Sequence, residues 1–138
     1  MRRTEDGSAT LEMVLATPLL MLCILLIIQF GVWQHASSVA RAAAQDGLRM
    51  TRTDGGTAAD GENRAYSLMG QLGQNVLVSP TVTVDRNDDM AAIRIDAYSQ
   101  SLIPGVSLPI HAFATGPVEQ FRPVSREFSI TEASATRN

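Results

Sequence analysis

From Met13 to Ala40, 28 consecutive residues carry no Asp, Glu, Lys or Arg. This constrains the chain more than any other feature. Within it, Met13–Trp33 holds 17 apolar residues out of 21. As a helix that segment is about 32 Å long at ~1.5 Å per residue. A bilayer core is ~30 Å thick, and a secretory h-region is shorter, roughly 7–15 residues. A retained membrane helix is therefore expected over 13–33. Residues 34–138 contain no second apolar run, so the chain is read as spanning once. Whole-chain averages of 45% hydrophobic and 18% charged residues conceal this segregation.

Charge and cysteine usage narrow the function classes. All 11 basic residues are Arg, they are scattered, and the net charge is −3. Nucleic-acid binding normally leaves a clustered positive footprint, so no nucleic-acid partner is expected. Cys23, the one cysteine, lies inside the apolar run. It cannot form an intrachain disulfide. Met21 and Leu22 precede it where a lipoprotein signal needs small residues. It reads as a small hydrophobe in a helix.

Periodicity divides the remainder. Val32, Ala36, Val39, Ala43 and Met50 fall on one helical stripe, so the first helix should continue to about residue 54. Asp46 and Arg49 stand at i, i+3 and can pair on it. Asp54-Gly55-Gly56 is a turn signal. Thr57 to Asp60 fits a capping pattern, and Ala65, Leu68, Met69, Leu72 and Val76 predict a second, short helix over about residues 58–73. After Pro80 the period becomes two. Val82 and Val84, then Ile93, Ile95 and Ala97, alternate with polar residues, as strands with one buried face do. Arg86–Met90 should be their hairpin loop. Ile110, Ala112 and Ala114 predict a third strand, closed by Gly116-Pro117. The expectation is an α+β chain: a helix over 8–54 with its transmembrane segment 13–33, an external domain over 55–122 with a small antiparallel sheet of about three strands, and a polar tail over 123–138.

No catalytic constellation is legible. His35 and His111 are the only histidines, and no motif places a nucleophile within hydrogen-bond reach of either. Phosphate-cradling loops and Cys/His metal spacings are absent from the sequence. Asp85, Asn87, Asp89 and Asp96 occupy positions 1, 3, 5 and 12 of a calcium loop. Met90 stands where that loop needs glycine, and the flanks read as strands, so a hairpin with solvated acids is expected. No enzyme, cofactor or metal is predicted.

The informative residues border the apolar run. Gly7 precedes Ser8-Ala9-Thr10-Leu11-Glu12, and the run starts at the next residue. A carboxylate in a membrane helix costs roughly 2.5–3.5 kcal/mol at its centre and less near the interface. Simple capping by Ser8 and a favourable first-turn charge on Glu12 account for each residue singly. A cut after Gly7 would instead give Ser8 a new α-amino cation, which Glu12 of a neighbouring helix could neutralise.

The stretch Gly7–Leu20, GSATLEMVLATPLL, resembles the TadE-like family, the pseudopilins of the tight-adherence (Flp, type IVc) pilus system. Gly7, Ser8, Ala9, Glu12 and Pro18 stand at the family's positions. The resemblance continues through Gln29-Phe30-Gly31 and ends with Ala42–Arg49, similar to the family's "AAREGAR"-type segment. Met13 stands where the family has an aromatic residue. Glu5 and Asp6 make residues 1–7 neutral where a basic leader is usual.

The resemblance implies a leader over 1–7, cleaved by a prepilin peptidase between Gly7 and Ser8. It implies a cytoplasmic N-terminus and an extracytoplasmic C-terminal domain, either in the cell membrane or in an extracellular pilus. It further implies a minor pilin or assembly factor whose partners are the lipid bilayer, the peptidase, other pilins or pseudopilins, and the pilus assembly machinery. Pro18 removes a backbone donor inside the helix, which predicts a kink or local melting near Ala16–Thr17. Two other readings remain open at this point: an unprocessed single-pass scaffold of the cell envelope, and a secreted enzyme released near Ser38-Val39-Ala40.

Overall fold

The computed structural model describes residues 5–119, with side chains from Leu11 onward. The expected polar tail at 123–138 lies outside the described residues. The elements are α1 (Glu5–Arg52), α2 (Ala58–Leu72), β1 (Leu77–Arg86), β2 (Met90–Ser99) and β3 (Pro109–Pro117). The strands form one antiparallel sheet in the order β1-β2-β3. The expected α+β architecture is the one observed.

Both helices pack on one face of the sheet, α1 against β2 and β3, α2 against β1. The strands present this face by simple alternation. Along β2, Ala91, Ile93, Ile95, Ala97 and Ser99 are buried, while Arg94 and Tyr98 are exposed. Ile110 and Ala112 of β3 and Val82 of β1 complete the sheet's share of the core. Ile93 and Ile95 are fully buried, each contributing roughly 1.5–3 kcal/mol by leaving water.

The buried stripe of α1 is Ala36, Val39, Ala40, Ala43, Ala44, Leu48 and Thr51. The expected stripe holds through Ala43, but Met50 is exposed. The real stripe passes through Gly47 and Thr51, because α2 crosses there with almost no side-chain thickness. A Cβ on Gly47 would lie 2.7 Å from the Gly61 carbonyl oxygen, and one on Gly61 would overlap Thr51 Oγ1. Asp46 does not pair with Arg49. Its carboxylate accepts a 2.5 Å hydrogen bond from Arg64 Nε of α2, since α2 runs close enough to supply the cation.

The expected cap forms in full. The Asp60 N–H donates to Thr57 Oγ1 at 3.1 Å, and the Thr57 N–H donates to Asp60 Oδ2 at 3.0 Å. α2 buries Gly61, Ala65 and Met69. Leu72, expected on that face, closes α2 and is exposed. Strand β1 begins before Pro80, not after it. Its register shifts between Val78 and Thr81, with Ser79 at φ 50°. This bulge absorbs the prolyl residue, which cannot donate to a ladder.

Candidate functional site

α1 has two halves with opposite surroundings. Every residue from Leu11 to Ile28 is exposed, and Gln29 is the first buried one. Soluble monomers rarely expose contiguous apolar patches larger than a few hundred Å². By length and composition this helix can cross a membrane. From Ala36 to Thr51 the same helix becomes the spine of the domain core.

The junction between the halves is held by side chains of α1 reaching the β2–β3 loop and the start of β3. Gln29 Nε2 donates to the Gln100 carbonyl at 3.3 Å, and Gln29 Oε1 accepts from the Leu102 N–H at 2.8 Å. One turn later, Trp33 Nε1 donates to the Pro109 carbonyl at 3.2 Å. Phe30 lies beside Trp33, with ring centroids 5.7 Å apart. At the far end of α1, Arg52 Nε donates to the Pro117 carbonyl at 2.6 Å, and the Glu119 N–H donates to the Arg52 carbonyl at 2.9 Å. The domain is thus fastened to α1 at both ends, with the small-residue stripe between.

The structure places the sequence-predicted residues unequally. Gly7 and Ser8 fall within the backbone range of α1, but the leader cut and the amino charge they carry lie outside the described residues. Glu12 is exposed, with no hydrogen-bond or ion-pair partner among the described residues. α1 runs unbroken through Pro18, so Ala16 and Thr17 remain helical and no local melting occurs there. The Thr17 hydroxyl donates to the Met13 carbonyl at 2.8 Å. Met13, Ala16, Thr17, Leu19, Leu20 and Cys23 line a shallow apolar groove beside this turn.

Elsewhere the chemistry is sparse. Asp85 pairs across the ladder with Ala92, whereas Asp96 pairs with Thr81. The Asp96 carboxylate instead meets His111 Nδ1 at 2.6 Å, so the hairpin separates the two ends of the calcium-like segment. A polar cleft at the other end of the domain is lined by Asp54, Arg86, Asn87, Asp88, Val118 and Glu119. Among the described residues, no three His, Cys, Asp or Glu are grouped to hold a metal. Hydrogen bonds from the Thr57 side chain and backbone hold the Asp60 carboxyl below its ordinary value.

Sequence reasoning missed the roles of Gln29, Trp33 and Arg52 as braces. One signal was available. No Asp, Glu, Lys or Arg occurs between Ala97 and Val118, a second uncharged stretch that includes the loop Gln29 holds.

Residues 7–49 match the family model described as TadE-like protein. The matched segment covers the exposed half of α1 and most of its packed half. No curated protein and no solved structure matches the chain. The match and the apolar half of α1 are together consistent with a single-pass membrane protein of the pilin-like kind.

Proposed function

With a TadE-like segment over residues 7–49 as the premise, we propose that this chain is a pseudopilin or minor pilin supporting assembly of a tight-adherence type pilus or a related secretion apparatus. Its role is structural and not catalytic. The observation that carries the reading is the division of one continuous helix. Leu11–Ile28 is exposed and apolar, and the following turns belong to the core of the external domain. Such a helix can leave the bilayer and pack laterally against other pilin helices without rearranging its domain.

In this reading a prepilin peptidase cuts between Gly7 and Ser8, on the cytoplasmic side. The new amino group of Ser8 then meets Glu12 of an adjacent subunit. Pairing favours one axial register, because removing one partner of a buried pair strands a charge at a cost of roughly 3–5 kcal/mol. Pro18 leaves the Val14 carbonyl without its usual helical donor, a defect that neighbouring helices or water can satisfy.

Intact-mass and N-terminal analysis of the membrane-extracted protein tests the processing step. The expected N-terminus is Ser8. A chain still carrying residues 1–7 supports an unprocessed envelope scaffold instead, a reading that the neutral leader favours. Glu12→Ala is expected to leave membrane insertion unchanged and to abolish or strongly reduce assembly. Normal assembly by that variant removes the charge-pairing mechanism.

A further inference from the structure

The β2–β3 loop, residues 100–108, is apolar, uncharged and fastened to the membrane helix. Leu102 remains 48% exposed and Val106 39% exposed. Pro104-Gly105 turns the loop back, with Gly105 at φ +83° and the Val106 N–H donating to the Ile103 carbonyl at 3.1 Å. Its attachment point is Gln29, which is only 3% exposed.

The depth of Gln29 decides what surrounds this loop. With Met13, the first residue after Glu12, at the inner boundary of the hydrocarbon, Gln29 lies about 24 Å further along the helix. The hydrocarbon is ~30 Å thick. Gln29 therefore falls within the outer leaflet, and Trp33 falls at the interface, where tryptophan is enriched. An amide at that depth needs internal hydrogen bonds. The loop supplies both, through the Gln100 carbonyl and the Leu102 N–H. Satisfying them brings the loop itself to the level of the last turn of the span. An uncharged loop with exposed Leu and Val suits that position, and a charged one would not.

We propose that the β2–β3 loop is a second membrane-contacting element, inserting Leu102 and Val106 among the acyl chains of the outer leaflet beside α1. The external domain then rests on the bilayer at a fixed tilt and does not swing above it on the helix. The inference rests on the reading of α1 as a membrane helix and adds a contact that this reading alone does not require.

Single environment-sensitive fluorophores test it, using full-length protein in phosphatidylcholine/phosphatidylglycerol vesicles. In a Cys23→Ser background, labels are placed through Leu102→Cys and Val106→Cys. Leu25→Cys serves as the control within the span, and Thr83→Cys as the control on the exposed sheet face. The expected result is blue-shifted emission at positions 102 and 106, quenching by lipid-borne nitroxide, and protection from aqueous iodide. Position 83 should show the opposite. Iodide quenching at 102 and 106 equal to that at 83, with position 25 still quenched by lipid, overturns the loop contact and leaves the membrane helix standing. Absence of lipid quenching at position 25 overturns both. Protection of 102 and 106 without lipid quenching also overturns the proposal, assigning the loop to a protein contact.

Discussion

Gly61 is the residue at which packing tolerance is smallest. An added Cβ would overlap Thr51 Oγ1 and lie 2.9 Å from the Gly47 carbonyl oxygen. That carbonyl belongs to the α1 backbone and cannot swing aside as the end of a flexible side chain can. Gly61→Ala is therefore expected to destabilise the domain by about 1–3 kcal/mol, read as a lower denaturant midpoint in detergent solution. Gly70 provides the contrast on the same helix. A methyl group there would meet nothing within 4 Å, so Gly70→Ala should stabilise by about 0.8–1 kcal/mol through helix propensity alone. Ile93→Ala removes most of a fully buried side chain and should cost about 2–5 kcal/mol. These three values, obtained from one unfolding series, distinguish tight helix crossing from general sensitivity of the core.

At the scale of elements, the start of α2 and the β2–β3 loop carry the clearest predictions. Thr57 and Asp60 satisfy one another's backbone donors. Thr57→Ala should cost about 1 kcal/mol at neutral pH. Folding lowers the Asp60 pKa from its ordinary 3.8. Its stabilising contribution is thus complete above that value and is lost as pH falls through the lower folded-state value. The difference between wild type and Thr57→Ala should accordingly narrow in acid, as thermal melts across that range would show. Gln29 does for the loop what Thr57 does for the helix. Gln29→Leu makes the span more apolar, so insertion should be undiminished. It also frees the Gln100 carbonyl and the Leu102 N–H. Faster proteolysis within 100–108, with unchanged membrane extraction, is the expected result.

For the whole molecule, α1 is as much a core element as an exposed apolar helix. Its stripe from Ala36 to Thr51 covers the face of β2 and β3 on which Ile93, Ile95, Ile110 and Ala112 are buried. A fragment beginning at residue 55 would expose that face to water. It is expected to lack the cooperative thermal transition that a fragment beginning at residue 29 retains, measured by circular dichroism. The boundary between anchor and domain therefore lies inside the helix, near Gln29, and not at the Gly55-Gly56 turn. In the proposed role, lateral assembly through Leu11–Ile28 would leave the packed half undisturbed.

Residue type and spacing were enough to set the kind and order of the elements. An uncharged run of 28 residues permits few structures other than a membrane helix, and strict alternation in Val82–Val84 and Ile93–Ala97 leaves each strand one buried face. Capping at Thr57 and the turn at Asp54-Gly55-Gly56 are equally local and equally legible. The border residues Gly7 and Glu12 stand out with the help of a resemblance to the TadE-like family, whose model matches residues 7–49. Contacts between distant segments were settled only in three dimensions. Asp46 chose Arg64 over Arg49 because α2 approaches within hydrogen-bond reach. Met50 lost its place in the stripe because the helix crossing is centred on Gly47 and Gly61. Gln29 found its partners 71 and 73 residues away, where no local period could point. Periodicity reports which face of an element is apolar; what covers that face depends on the angle and depth at which the elements meet.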